Sequence, residues 1–254
     1  MVDIESRTGI VTGASSGIGR ASAIAFASAG ANVVISARRK EAGEETAHEA
    51  EKAGGRCLFL QGDVSEPAHC QALVSEAVRH FGRLDFAFNN AGIEGDAWIP
   101  TGDYDIEVFD KVVAINLRGV FLSMRYQLPE LVKTRGSIVN MASIAGLIGG
   151  KVGCAYYATK HGVIGLTKAA AAEYAPKGVR VNAIAPAVVR TELTERLFFF
   201  DEERGRQVVA GHPIGRVGTP EEIAHLVMFL CSENAGFITG ETVKIDGGRT
   251  IGPL

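Results

Sequence analysis

Tyr156 and Lys160 are the residues whose types and spacing most directly suggest chemistry. They are four positions apart in a helical pattern, so both side chains project from one helix face. A free tyrosine has a pKa of about 10, and a neighbouring ammonium stabilises the phenolate and lowers that pKa. We therefore expect Tyr156 to act as a general acid or base. Taken alone, the pair is equally typical of an apolar ring beside a solvated lysine; the adjacent Tyr157 has no lysine at the same spacing.

A glycine-rich turn from Thr12 to Gly19 follows the first predicted strand and precedes a helical pattern. Its spacing is G-x-x-x-G-x-G, and such glycines allow backbone amides to approach a pyrophosphate at a helix N-terminus. The same residues satisfy G-x-S-x-G with Ser15 in the middle, which is the nucleophile elbow of serine hydrolases. That elbow normally takes an oxyanion amide from an earlier loop. Because this turn follows the first strand, the hydrolase alternative is disfavoured.

Short β-branched runs alternate with longer helical patterns and must position these residues. Strands are predicted at 9–11, 32–36, 57–60, 85–88, 137–141, 179–183 and 242–245, and helices at 20–29, 41–53, 67–80, 106–133, 156–174 and 220–230. Continuous apolar strands with crossover helices indicate a parallel sheet that is covered on both faces. We therefore predict one doubly wound α/β Rossmann domain over 1–254, with a mostly or fully parallel seven-stranded sheet. Segment 186–215 breaks the rhythm and is predicted to be a substrate-binding loop or lid.

The overall composition favours small-molecule chemistry. A net charge of -3 and a pI of about 6.1 provide no basic surface for nucleic acid or an anionic membrane. The four cysteines are far apart and the six histidines follow no metal-binding pattern, so neither disulfides nor a metal are expected. No signal peptide or stretch of about 18 uncharged apolar residues is present. We expect a cytoplasmic protein.

Five motifs in this order and spacing resemble the short-chain dehydrogenase/reductase family over essentially the whole chain. They are the turn Thr12 to Gly19, Asn89-Asn90-Ala91-Gly92, Asn116 between Ile115 and Leu117, Ser143 thirteen positions before Tyr156, and Tyr156 to Lys160. The resemblance implies an NAD(P)-dependent oxidoreductase. It would interconvert a ketone and a secondary alcohol by hydride transfer, with tyrosine as the acid or base.

The resemblance also implies four catalytic residues, Asn116, Ser143, Tyr156 and Lys160. Lys160 would bond the nicotinamide ribose, Ser143 would donate to the substrate oxygen, and Asn116 would anchor a water-linked proton relay. In isolation, Ser143 is also typical of a turn hydroxyl and Asn116 of a buried amide that bends a helix.

The cofactor set that the resemblance implies is larger. Asp63 would meet the adenine amino group, or alternatively cap the helix that begins near Pro67. Asn90 and Gly92 would line the cofactor near the adenosine ribose and hold the neighbouring strand, or alternatively form a simple turn. Thr191 would hold the nicotinamide carboxamide. The full set is Gly13, Ser15, Ser16, Gly17, Ile18, Gly19, Arg38, Arg39, Asp63, Val64, Asn90, Ala91, Gly92, Tyr156, Lys160, Pro186, Val189 and Thr191.

The end of the second strand favours NADP(H). NAD-binding Rossmann units usually carry an acidic residue there, whereas arginine suits a 2′-phosphate. This chain has Ala37 at that place, followed by Arg38 and Arg39. NAD(H) stays possible because Ser16 stands where some NADP-preferring relatives carry a basic residue, and glutamates follow nearby.

The predicted substrate is a small, apolar ketone or alcohol, bound beyond the carboxyl ends of the strands by segments 94–98, 144–153 and 188–212. Ala187 replaces a glycine that relatives commonly carry, which puts the local loop backbone in question. Phe198 to Phe200 are consistent with a lid, a core or an interface.

The helices that begin near 106 and 156 resemble those through which relatives form dimers and tetramers, so a homotetramer is expected. The alternatives are an enoyl reductase or epimerase on a related fold, or a cofactor sensor without catalysis. The four-residue spacing of Tyr156 and Lys160 disfavours both.

Overall fold

The computed structural model describes residues 4 to 251, which form a seven-stranded sheet with helices on both faces. Every strand pairing is parallel, and the strand order is β3-β2-β1-β4-β5-β6-β7. The strands are β1 (Thr8–Thr12), β2 (Asn32–Ala37), β3 (Arg56–Gln61), β4 (Phe86–Asn89), β5 (Ser137–Met141), β6 (Arg180–Pro186) and β7 (Thr242–Ile245). The chain reverses its direction of travel across the sheet at β1 and β4. The predicted doubly wound, fully parallel Rossmann fold is confirmed.

The α-helices within the described residues include those that pack on the two faces of the sheet and two short ones in the segment after β6. They are α1 (Gly17–Ser28), α2 (Lys40–Lys52), α3 (Pro67–Phe81), α4 (Ile106–Val113), α5 (Gly119–Thr134), α6 (Cys154–Tyr174), α7 (Glu192–Phe198), α8 (Glu202–Ala210) and α9 (Pro220–Cys231). None of the helices between residues 4 and 251 is long and apolar enough to cross a membrane.

Two hydrophobic cores, one on each face of the sheet, hold helices against it. Successive side chains of β1 belong to different cores. Val11 faces the core under α1, α2 and α9, where the rings of Phe26 and Phe86 stack with centroids 4.3 Å apart. Ile10 faces the opposite core under α3, α5 and α6. Successive side chains of a strand point to opposite faces, so a strand that is buried on both sides is apolar throughout. This explains the continuous apolar runs in the sequence.

The helix that the sequence predicts over 106–133 is helical throughout, but it is not α-helical along its whole length. A π-helical turn, Ala114–Arg118, separates α4 from α5. Such a turn has one more residue than an α-helical turn, and apolar periodicity does not reveal it. Asn116 lies in this turn with its side chain directed at the backbone after β4.

Segment 186–215 is largely helical and not an irregular loop, which corrects its predicted local structure. Thr191 begins α7 with a capping box that includes Thr194, and the Asp201 carboxylate caps α8 by accepting from the Arg204 amide. In both cases a side-chain oxygen accepts from a backbone amide that has no partner within the helix, which stabilises the helix N-terminus. Ala187 causes no strain, because it has no positive φ and its amide donates to the Ile245 carbonyl.

Candidate active site

A cleft of about 440 Å³ lies at the carboxyl ends of the central strands. Parallel α/β sheets bind ligands at this edge, where the strand order reverses. Of the residues expected to form the site, all line the cleft except Gly19 and Asn116. Those that line it are Gly13, Ser15, Ser16, Gly17, Ile18, Arg38, Arg39, Asp63, Val64, Asn90, Ala91, Gly92, Ser143, Tyr156, Lys160, Pro186, Val189 and Thr191.

The glycine turn presents the N-terminus of α1 to the cleft. Gly13 has a φ of +67°, and a Cβ there would lie 2.7 Å from the Ala91 Cα. Ser16 occupies the N-cap position in an extended conformation, and its side chain makes no capping hydrogen bond. The first amides of α1 therefore have no side-chain acceptor, and the helix dipole adds positive potential at the same place. These features fit a dinucleotide pyrophosphate.

Gly19 and Asn90 hold this turn from behind. The Asn90 side-chain amide donates to the carbonyls of Thr12 and Gly13, at 3.0 and 3.1 Å. A Cβ on Gly19 would lie only 2.3 Å from the Gly13 carbonyl oxygen. The Asn90 side chain thus holds the end of β1 and the turn, as expected, and its place near an adenosine ribose stays a prediction. The sequence interpretation missed Thr12, whose hydroxyl accepts from the amides of Asn90 and Ala91.

The catalytic candidates come together from β5 and α6. The Lys160 ammonium is buried, donates to the Met141 carbonyl at 2.8 Å, and lies 5.4 Å from the centroid of the Tyr156 ring. Ser143 follows β5, and its hydroxyl accepts from the Ala145 amide at 3.1 Å. The hydroxyl groups of Ser143 and Tyr156 face the same part of the cleft.

Burial is the largest cause of the pKa shifts of Tyr156 and Lys160. It raises the pKa of Tyr156 to about 12; the Ser143 hydroxyl opposes that rise, and the Glu94 carboxylate adds to it. Burial also lowers the pKa of Lys160 to about 8. The pKa of Tyr156 is therefore raised, and not lowered as the spacing of Tyr156 and Lys160 predicted, because burial is the largest cause of the shift. At neutral pH Tyr156 is a neutral phenol, which is a proton donor.

Asn116 acts on the backbone beside the cleft. Its amide nitrogen donates to the Ile93 carbonyl at 2.7 Å, and its side-chain oxygen accepts from the Ile93 amide at 2.8 Å. The side chain is buried and fixes the segment after β4. Its role in a water-linked relay stays a prediction.

Two arginines stand at the far end of the cleft, each beside a carboxylate. Arg38 lies 3.7 Å from Asp63, and Arg39 lies 3.0 Å from Glu192. Asp63 also accepts from the Ser65 amide at 2.9 Å, in a turn ahead of α3. Glu66 holds the N-cap position of α3, so the alternative role of Asp63 as the cap of that helix was wrong.

The segment after β4 meets α7 and α8 above the cleft. Trp98 packs edge-on against Phe198, with centroids 6.2 Å apart, and the Arg204 guanidinium lies 4.3 Å from the Trp98 ring centroid. Glu94 faces Arg196 at 3.8 Å. Segment 94–98 was expected at the substrate site, and Glu94 lines the same cleft as Tyr156, where its carboxylate contributes to the raised pKa of the tyrosine.

The three consecutive phenylalanines have different environments. Phe198 contacts Trp98, Phe199 lies under the Arg190 guanidinium at 4.2 Å, and Phe200 is exposed. They are not one surface.

The hydrolase alternative has no catalytic base. The Ser15 side chain accepts from Arg39 at 3.3 Å. Within residues 4–251, no histidine hydrogen-bonds Ser15, so nothing activates its hydroxyl for attack.

The fold and the site together define a nicotinamide-dependent oxidoreductase of the Rossmann class. A protein family described as enoyl-(acyl carrier protein) reductase matches residues 13–250. The chain is 43% identical to cyclohexanol dehydrogenase of Acinetobacter sp. (strain SE19) over 246 residues, which covers 96% of this chain and 95% of that protein. It is 40% identical to 2,5-dichloro-2,5-cyclohexadiene-1,4-diol dehydrogenase of Sphingobium indicum (strain DSM 16412 / CCM 7286 / MTCC 6364 / B90A), covering 98% and 99% of the two chains.

A solved structure gives the same result. The crystal structure of levodione reductase superposes with a TM-score of 0.94 at 36% identity, over 98% of this chain and 99% of that one. The chain belongs to the short-chain dehydrogenase/reductase family, and it is an NAD(P)-dependent oxidoreductase of alcohols and ketones.

Proposed function

We propose that the chain transfers hydride between NADP(H) and a ring ketone or its secondary alcohol, with Tyr156 as the acid or base. One observation carries the proposal: a half-buried phenol, beside the hydroxyl of Ser143 and the ammonium of Lys160, shares one cleft with a phosphate-binding turn. Each group is common in isolation. Their convergence at the ligand-binding edge of the sheet gives a proton donor and a dinucleotide site in one place.

Each catalytic side chain has a separate task in reduction. The bound nicotinamide supplies the hydride. Tyr156 gives its phenolic proton to the carbonyl oxygen, and Ser143 donates a hydrogen bond to the same oxygen as negative charge develops. The Lys160 ammonium stabilises the phenolate that remains. Asn116 holds the Ile93 backbone in place and anchors the water-linked proton relay.

Ketone reduction fits this site better than the alternatives. The matched family is described as an enoyl reductase, and an epimerase or a sensor would also keep the glycine turn. The four-residue spacing places Tyr156 and Lys160 on one face of α6, with the Ser143 hydroxyl opposite. Two hydroxyl donors at one point suit a carbonyl oxygen. A sensor would need neither.

Arg38 is the main reason for proposing NADP(H) as the preferred cofactor. Its guanidinium lines the cleft at the end of β2, and its side chain is largely exposed. The ion pair with Asp63 is long, at 3.7 Å. A phosphate offers a guanidinium shorter, charge-assisted hydrogen bonds.

A substituted six-membered ring is the substrate class we propose. The names of three similar proteins refer to cyclohexanol, a dichlorocyclohexadienediol and levodione. In this chain the apolar residues Ile93, Ala187 and Leu193 line the same cleft as Tyr156, and Trp98 packs against Phe198 of α7. We propose that 186–215 forms the lid over this ring.

We further propose a homotetramer in the cytoplasm. Ile106, Phe109 and Phe121 expose apolar side chains on α4 and α5, a surface suited to a second copy. The four cysteines are free thiols, as in proteins of reducing compartments. A monomer mass by light scattering would contradict the assembly.

The proposal is tested by following reduced-nicotinamide absorbance with NADPH and NADH in parallel. Cyclohexanone, cyclic diketones and linear ketones of equal carbon number serve as substrates. We expect ring ketones to be reduced with higher kcat/KM, and NADPH to be the better donor. Faster reduction of the linear set would contradict the ring preference, and faster turnover with NADH would contradict the cofactor preference. Cofactor binding without any turnover would favour the sensor.

The pH dependence of reduction follows from Lys160. Its ammonium is present below the pKa of about 8 and is lost above it, whereas Tyr156, at about 12, stays protonated throughout. We expect log kcat/KM for reduction to be flat below pH 8 and to fall above it. Lys160→Arg, which keeps its charge, should remove this decline even if the overall rate is lower. A rate of reduction that rises above pH 8 would contradict this role of Lys160.

A further inference from the structure

An ion pair at the far end of the cleft connects α7 to the phosphate-binding turn. The Arg39 guanidinium donates to the Glu192 carboxylate at 3.0 Å, to the Ser15 hydroxyl at 3.3 Å and to the Ser15 carbonyl at 3.4 Å. All three residues line the cleft. Arg39 therefore has acceptors on two sides, and one of them is an anion.

Charges at this end of the cleft are balanced. Arg38 faces Asp63, and Arg39 faces Glu192, so two guanidiniums meet two carboxylates. The Glu192 contact is the shorter of the two. A 2′-phosphate carries a charge of about −1.5 to −2, if its second pKa is near that of other phosphate monoesters. It would compete with Glu192 for Arg39 and be repelled by Glu192. A 2′-hydroxyl group carries no such charge.

We propose that Glu192 is a specificity-determining residue that engages Arg39 and thereby limits the preference for NADP(H) over NAD(H). The inference rests on the proposed function only in requiring that this cleft bind the dinucleotide. It assigns the two arginines different tasks: Arg38 receives the phosphate, and Arg39 is shared between the phosphate and α7. Glu192, a residue of the proposed lid segment 186–215, thus affects how the adenosine end of the cofactor binds.

The neighbouring Glu195 provides a matched control. Both glutamates lie in the first turn of α7, where the helix dipole favours a carboxylate. Glu195 pairs with Arg190 at 2.7 Å, and it does not line the cleft. Removing either charge changes the net charge and the helix terminus equally. Only Glu192 is in contact with Arg39.

The test measures dissociation constants of NADPH and NADH by the fluorescence of the reduced nicotinamide, for the unmodified chain, Glu192→Gln and Glu195→Gln. We expect Glu192→Gln to tighten NADPH binding about fivefold, the scale of one exposed ion pair, with NADH changed less than about twofold. Glu195→Gln should change neither. The gain for NADPH should shrink at high salt and in the Arg39→Gln background, because both weaken the Arg39 contact.

Either of two results would overturn this inference without overturning the proposed function. These are equal effects of the two glutamine variants on NADPH, or a Glu192→Gln variant that shifts NADPH and NADH by the same factor. A Glu192→Gln gain that persists undiminished with Arg39→Gln would remove the assigned route through Arg39. Absence of nucleotide binding in every variant would overturn the proposed function as well. Binding without ketone turnover would overturn only the proposed function.

Discussion

Tyr156→Phe is expected to lower kcat for ketone reduction by about 10³-fold while leaving the dissociation constant of NADPH within about twofold. The substitution removes only the phenolic oxygen, so the ring still fills its place on α6. The carbonyl oxygen then loses its proton donor. Steady-state kinetics and nucleotide fluorescence on the same preparation separate the two effects.

Tyr157→Phe is the control for that substitution. Tyr157 is the next residue on α6 but does not line the cleft. Its loss of a hydroxyl is chemically identical and should change kcat less than about threefold, as for a residue outside the reaction. Equal losses in both variants would show that a general disturbance of α6, and not proton transfer, explains the Tyr156 result.

Gly19→Ala is expected to lower the free energy of unfolding by about 2 kcal/mol, because its Cβ overpacks a tight contact. That Cβ would lie 2.3 Å from the Gly13 carbonyl oxygen and 2.6 Å from the Asn90 amide nitrogen. The neighbouring atoms include backbone, so α1 must move away from the turn. We also expect NADPH to bind about tenfold more weakly, because the turn that receives the pyrophosphate is displaced. Urea unfolding and nucleotide titration measure the two effects.

Gly165→Ala separates this packing effect from helix propensity. Gly165 lies within α6, and a Cβ there has nothing within 4 Å. Alanine favours a helix over glycine by up to about 1 kcal/mol, so this variant should be as stable as the unmodified chain or more so. If Gly19→Ala were as stable as Gly165→Ala, the contact between α1 and the turn would not be tight.

The positions of the strands along the chain could be predicted from the sequence because the sheet is buried on both faces. A parallel strand with helices on both faces has no polar side, and β1 and β5 are buried along their entire length. The glycine turn and the pair of Tyr156 and Lys160 could also be predicted from the sequence. Their chemistry depends on short, local spacing.

Features that depend on contacts between residues far apart in the sequence could not be predicted. Arg39 and Glu192 are 153 positions apart, and nothing local in the sequence pairs them. The π-helical turn around Asn116 keeps the apolar pattern of an α-helix, so it was missed. The predicted direction of the pKa shift of Tyr156 was wrong because the shift depends mainly on burial, which only the folded chain determines.

Isotope transfer tests the central claim most directly. The ketone that reacts best is reduced with NADPH carrying deuterium at the transferable C4 position, and the alcohol is analysed by mass spectrometry and NMR. We predict one deuterium on the carbinol carbon of each product molecule, and none in Tyr156→Phe on the same time scale. With an α,β-unsaturated ketone as substrate, deuterium at the β-carbon with the carbonyl retained would contradict ketone reduction and indicate an enoyl reductase.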